Sequence, residues 1–148
     1  MGWGALLTNW GPVVLWAAVI FGFSTDSFSA SETAQIVAPA LNWLVPGITA
    51  YQLEAIHLAI RKLGHWSEYF VFAIFVLRAL RHQSSSRSEL RHNGLTIVII
   101  FLYAISDELH QAFVPNRTSS FGDVLIDLFG GICAVSWLSL RRKWKKKP

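Results

Sequence analysis

From Leu95 the chain runs apolar to Ile105 and then meets two adjacent carboxylates, Asp107 and Glu108, in the stretch Ser106-Asp107-Glu108-Leu109-His110-Gln111. The run is hydrophobic enough to lie in a bilayer. Ionisable groups are expensive to hold there, and chains that keep them turn them toward a bundle interior or a water-filled cavity, where they mark functional sites. Any fold for this chain has to give those two carboxylates partners away from lipid.

The rest of the sequence supports that setting. Hydrophobic residues make up 53% of 148 residues, and mean hydropathy is +0.40, high for a water-soluble domain of this length. The formal charge of +4 could suggest a nucleic-acid partner, but the Lys and Arg residues sit in short segments beside apolar runs, so membrane topology accounts for them and no nucleic acid is expected. The single cysteine, Cys133, lies in an apolar run and has no partner for an intrachain disulfide. The first apolar stretch lacks a basic n-region and a small-residue cleavage site, and it reads as a retained span rather than a signal peptide.

The expected fold is all-α, a polytopic membrane protein forming a single domain over residues 1–148. Four spans are expected at about 3–23, 63–80, 95–113 and 121–140. Pro12 lies within the first, as membrane helices tolerate. Between spans one and two, Ser29 and Glu32 have the spacing of a helix N-cap and its third residue, and Ile36, Val37, Ala40, Leu41 and Leu44 repeat at helical period. Pro46-Gly47 stops that helix. A second short helix carries Leu53, Ile56, His57 and Ile60 on one face. Both are expected to lie at the membrane interface, with His57 an ordinary interfacial residue.

The loop from Arg78 to Asn93 holds four Arg residues, and the tail from Arg141 holds six Lys and Arg, out of thirteen in the chain. The positive-inside rule then places both termini and this loop in the cytoplasm. Consequently the end of span one, the start of span two, the end of span three and the start of span four share the outer level. Those ends carry Asp26, Arg61, Lys62, His65, Glu68, Asp107, Glu108, Gln111, Arg117, Asp123 and Asp127, six of the nine acids among them. Arg61, His65 and Glu68 share a helix face, and so do Asp107, Glu108 and Gln111. A lone buried pair can be structural; this many groups exceed what packing needs.

Three chemistries suit such a set. His65, Glu68, Asp107 and Glu108 are the candidate acid/base groups, because desolvation and mutual repulsion spread carboxylate pKa values. Arg61, Lys62, Gln111 and Arg117 are the candidate anion-binding groups, with Asp123 and Asp127 orienting the cations. A divalent metal on His65 and carboxylate oxygens is the second possibility; no HExxH or comparable ligand motif is present, so no metal ligand is assigned. A proton- or ion-coupled carrier is the third, disfavoured by four spans without a detectable repeat.

These pieces resemble the VanZ-like family of small bacterial membrane proteins. The matching segments are Phe23-Ser24, Arg61-Lys62-x-x-His65-x-x-Glu68-Tyr69, Ser106-Asp107-Glu108-x-x-Gln111-x-Phe113-x-Pro115-x-Arg117, and Asp123-Val124-x-x-Asp127-x-x-Gly130. They cover nearly the whole chain. Asn116 stands where the family usually has Gly, and Asp127 where Asn is common; Asn tolerates the left-handed backbone such a turn needs. The resemblance implies a multi-pass protein of the bacterial cytoplasmic membrane acting on the cell envelope, in a family whose namesake is associated with resistance to teicoplanin-type glycopeptides. The expected partners are membrane lipids, in particular an anionic or polyprenyl-linked lipid that the site would modify. A non-catalytic lipid- or glycopeptide-interacting protein is the alternative.

Overall fold

A computed structural model describes residues 3–83 and 88–145. Its elements are α1 (Trp3–Phe23), a 3-10 turn (Asp26–Phe28), α2 (Ala30–Leu44), α3 (Ala50–Gln83), α4 (Glu89–Gln111) and α5 (Phe121–Trp144), with no strand among the described residues. Arg87 of the basic loop and Lys146 and Lys147 of the tail lie outside the described residues.

Side chains set the helix starts. Ser29 accepts from the Glu32 amide, Ser88 from that of Arg91, and Ser120 from that of Gly122, each satisfying a donor the helix leaves unpaired. At α3, Thr49 Oγ1 accepts from the Gln52 amide (3.3 Å) while Gln52 Oε1 accepts from the Thr49 amide (3.0 Å), a reciprocal capping box. The turn into it needs Gly47, at φ 89°. The turn out of α4 uses Asn116 at φ 59°, the left-handed conformation expected of it.

The segment between α1 and the second long helix differs from expectation. Instead of two short helices followed by a span starting near residue 63, there is one free-standing helix, α2, and a single 34-residue helix, α3. The break expected before residue 63 does not form, and Gly64 lies inside the helix. An isolated Gly costs a helix only about 1 kcal/mol, and no proline lies between Ala50 and Gln83 to stop it. At 1.5 Å per residue α3 is roughly 50 Å long, more than a hydrocarbon core of roughly 30 Å requires. Its first third therefore runs on past the level of the bundle. There α2 folds back along it, held by a 2.8 Å hydrogen bond between Thr33 Oγ1 and His57 Nε2.

Three helices, α1, α3 and α5, are long and apolar enough to cross a membrane. α4 falls outside that group because Glu89, Arg91, Asp107 and Glu108 flank its apolar middle. The outer surface of α1, α4 and α5 is oily: Leu7, Val14, Leu15, Val98, Leu102, Ile105, Leu125, Phe129 and Ile132 are exposed. A water-soluble monomer does not carry so large an apolar surface.

Cross-helix contacts give the register. Lys62 meets Asp123, His65 meets Asp127, and Trp66 meets Gly130, so α3 and α5 run parallel. Trp10 Nε1 donates to Gln83 and Trp16 Nε1 to the Glu68 carbonyl (2.9 Å each), so α1 runs against α3. Tyr103 Oη donates to the Ala17 carbonyl (2.7 Å) and Ser24 Oγ to Asp107, which sets α4 parallel to α1. α5 packs on two neighbours at once through adjacent glycines about 100° apart on the helix. A Cβ at Gly130 would collide with the Trp66 carbonyl, and one at Gly131 would come within 2.9 Å of Ile100. Tyr69, Phe72, Ala73, Val76, Ile100, Ala104 and Ala134 fill the apolar middle.

Candidate functional site

This register brings the C-terminal ends of α1 and α4, the middle of α3 and the N-terminal end of α5 to one level. Ser24, Asp107, Glu108, Gln111, Asp123 and Asp127 are all buried there. On α4, successive residues turn by about 100°. Asp107 therefore looks toward α1 and Glu108 toward the start of α5, while Gln111 sits a turn below Asp107.

Asp107 is held by neutral donors on both oxygens: Ser24 Oγ donates to Oδ1 at 2.5 Å and Gln111 Nε2 to Oδ2 at 3.2 Å. Glu108 Oε2 accepts from the backbone amide of Ser120, the N-cap of α5, at 2.7 Å. A carboxylate suits that place, since the orphan amides and the positive end of the helix dipole lie there. Between α3 and α5 the ion pairs form a ladder. Lys62 pairs with Asp123, and one turn on His65 Nδ1 lies 3.2 Å from Asp127 Oδ1. The Asp127 side chain has no solvent exposure.

Arg117 reaches back from the α4–α5 connection to the end of α1. Its Nε donates to the Thr25 carbonyl at 3.0 Å, and an Nη donates to the Phe23 carbonyl. The Phe23 carbonyl closes α1, and a cation there complements the helix dipole. Asn116 reinforces the contact by donating to Asp26 at 3.2 Å. Burial, and after it the nearby Arg61 cation, pull the Arg117 guanidinium below its ordinary pKa, while Asp107, Glu68 and Asp26 oppose the shift. The group remains charged at any physiological pH.

Above these residues opens a pocket of about 260 Å³. Six of the ten residues expected from sequence line it: Arg61, His65, Glu68, Asp107, Gln111 and Arg117. The other four, Lys62, Glu108, Asp123 and Asp127, do not; they sit behind the lining in the ladder and at the start of α5. One wall of the pocket is apolar, made by Ile20, Phe23, Val37 and Ile60. A second cavity, about 210 Å³ and lined mainly by Ala34, Val37, Ala38, Ala50 and Leu53, adjoins it, with Val37 and His57 common to both. Arg61 has no hydrogen-bonded or ion-paired partner among the described residues.

Some site residues were not anticipated. Ser24 is the hydroxyl partner of Asp107, and His57 and Thr33 form part of the pocket. The available signal for Ser24 was a polar residue closing an apolar span at the level of the carboxylates. His57 gave none, because its role depends on α2 folding back on α3. Nor does spacing along the chain reveal that His65, Asp107, Glu108 and Asp127 converge: one ligand-capable atom from each lies within 4.8 Å of the others.

A helical bundle with an oily exterior, membrane-length helices and a buried acid–imidazole cluster under an amphiphilic pocket is the architecture of a membrane protein. The family model described as VanZ/LLP1 matches residues 10–142, and the chain belongs to that family. No curated protein and no solved structure matches it.

Proposed function

We propose that this VanZ/LLP1 protein crosses the bacterial cytoplasmic membrane four times, through α1, α3, α4 and α5, and takes the anionic head of an envelope lipid into the outward-facing pocket. α4 is included because it lies beside α3 and α5, is of similar length to α1 and α5, and presents Val98, Leu102, Ile105 and Leu109 outward. The basic α3–α4 connection and tail then face the cytoplasm. α2 and the first third of α3 form the outer, interfacial hairpin.

The observation that carries the ligand class is the pairing of Arg61 and Arg117 at one pocket. Two guanidinium groups close enough to repel, one of them without a partner, favour an anion between them, and a phosphate or carboxylate suits their planar donors. The apolar wall and the adjoining cavity suit the attached hydrocarbon chain, so a phosphorylated or otherwise anionic lipid, including a polyprenyl-linked one, fits better than a soluble anion. Glu68 faces the same space, with His65 and Asp107 beside it, and supplies an acid/base group for a reaction on that head group.

The test is lipid mass spectrometry on purified protein incubated with a bacterial lipid extract supplemented with polyprenyl phosphates. Arg61→Gln is expected to lower the co-purifying anionic lipid about tenfold, a loss of about 1.4 kcal/mol in binding. Glu68→Gln is expected to keep the lipid but stop its conversion. Equal retention of the lipid by Arg61→Gln would refute the pocket as its binding site. Undiminished conversion by Glu68→Gln would remove Glu68 from the reaction.

A further inference from the structure

Beneath the pocket, the arrangement of His65, Asp107, Glu108 and Asp127 leaves charge unanswered. The three carboxylates are buried. Apart from His65, the partners that hold them are neutral: the Ser24 hydroxyl, the Gln111 amide and the Ser120 backbone N–H. The nearest lysine is taken by Asp123. Buried charges are otherwise paired or coordinate metals.

The second observation is the set of side-chain atoms left without a partner. Asp127 Oδ2 and Glu108 Oε1 are buried and accept from nothing among the described residues. The same holds for Gln111 Oε1 and the Tyr69 hydroxyl, both on residues more than nine-tenths buried. Each unsatisfied buried group is costly, and in native proteins such groups point to a water or an ion. Two of the orphans belong to the four residues themselves.

The third is distance. One ligand-capable atom from each of the four residues lies within 4.8 Å of the others. Ligands of a tetrahedral ion at about 2.0–2.2 Å lie roughly 3.5 Å apart, and trans ligands of an octahedral ion at the same distance roughly 4.4 Å. The four groups are therefore within a small adjustment of a coordination shell, and three different helices supply them.

We infer that His65, Asp107, Glu108 and Asp127 form a binding site for one divalent first-row transition ion, Zn²⁺ or Mn²⁺, at the floor of the pocket. The imidazole favours such an ion over Mg²⁺ or Ca²⁺, and the three carboxylates favour a hard or borderline ion over a thiophilic one. Ser24 and Gln111 hold the Asp107 ligand in place, as partners of metal ligands commonly do. With the ion bound, Glu68 remains the uncommitted carboxylate of the pocket. The site does not depend on the lipid reading, since none of its ligands needs a lipid to be in place.

The experiment uses chelator-treated full-length protein in detergent, without added lipid. Zn²⁺ or Mn²⁺ is titrated in, bound metal is counted by elemental analysis, and thermal unfolding is followed in parallel. The expected result is one ion per chain and a midpoint raised by several degrees at saturating metal, because an ion that binds only the folded state stabilises it. Mn²⁺ electron spin-echo spectra should show coupling to one imidazole nitrogen. His65→Gln and Asp127→Asn should each weaken binding more than about tenfold, while Glu89→Gln, at the far end of the bundle, should not. Arg61→Gln should bind metal as the parent does, so that failure of the lipid proposal and failure of this one are told apart. The wild-type spectra make the test independent of whether the variants fold. Absence of stoichiometric binding by the wild type, or bound Mn²⁺ without a nitrogen coupling, would overturn the inference.

Discussion

At the end of the bundle where α3 gives way to α4, Glu89 lies 3.4 Å from both Arg81 and Arg142; Glu89 and Arg142 keep substantial exposure, and Arg81 is one-fifth exposed. At the other end, Asp107, Glu108 and Asp127 are buried and have more acceptor atoms than donors to fill them. Both ends use carboxylates and cations, but their energetic status is opposite. The exposed cluster can exchange partners with water at little cost, and such pairs contribute about 0–1 kcal/mol. The buried cluster cannot, and a chain selected only for stability would have replaced it with apolar residues. On the proposed function, the exposed charges orient the protein in the membrane and the buried ones are kept for chemistry.

Substitutions should expose that contrast, beginning with the largest effect. Asp107→Ala leaves the Ser24 hydroxyl and the Gln111 amide buried without an acceptor. At roughly 1–3 kcal/mol for each stranded donor, it should cost about 3 kcal/mol of stability in denaturant unfolding, and a near-neutral result would mean that the pocket is more open to water than the geometry indicates. Gly130→Ala acts next to the site without touching its charges. The new methyl meets the Trp66 carbonyl and must part α3 from α5, so a loss of about 1–3 kcal/mol is expected, together with a weakened Lys62–Asp123 and His65–Asp127 ladder. Full stability there would show that the two helices can separate without loss. Glu89→Ala should be the smallest, within about 0.5 kcal/mol; a loss comparable to that of Asp107→Ala would erase the distinction between the two ends.

Much of this was legible in the sequence, and the parts that were not have physical reasons. The convergence of Arg61, His65, Glu68, Asp107, Gln111 and Arg117 follows from helix periodicity and the placement of basic segments, both local properties. The N-cap at Ser29 is local too. The continuity of α3 is not legible because the polar run Arg61, Lys62, His65 and Glu68 resembles the start of a span. Only packing against α2 and α5 shows that the helix passes through, and the capping box at Thr49 and Gln52 marks its true start. Ser24 and the four-residue cluster depend on side-chain rotation about three helices, which spacing along one chain does not contain. Lys62 likewise shares a face with His65 in the sequence, yet its pairing with Asp123 directs it away from the pocket.

The buried acids are there either for function or for holding the bundle together. Thermal unfolding of Glu108→Gln, in chelator-treated protein beside the parent, addresses this most directly. The amide oxygen can still accept from Ser120, so the substitution removes a buried charge without removing its shape or its hydrogen bond. If the acids serve function, the midpoint will equal the parent's or be higher, because a desolvated charge beside two other carboxylates has been relieved. A midpoint lowered by several degrees would show that the charge stabilises the fold, and would contradict the reading of this end of the bundle as a site.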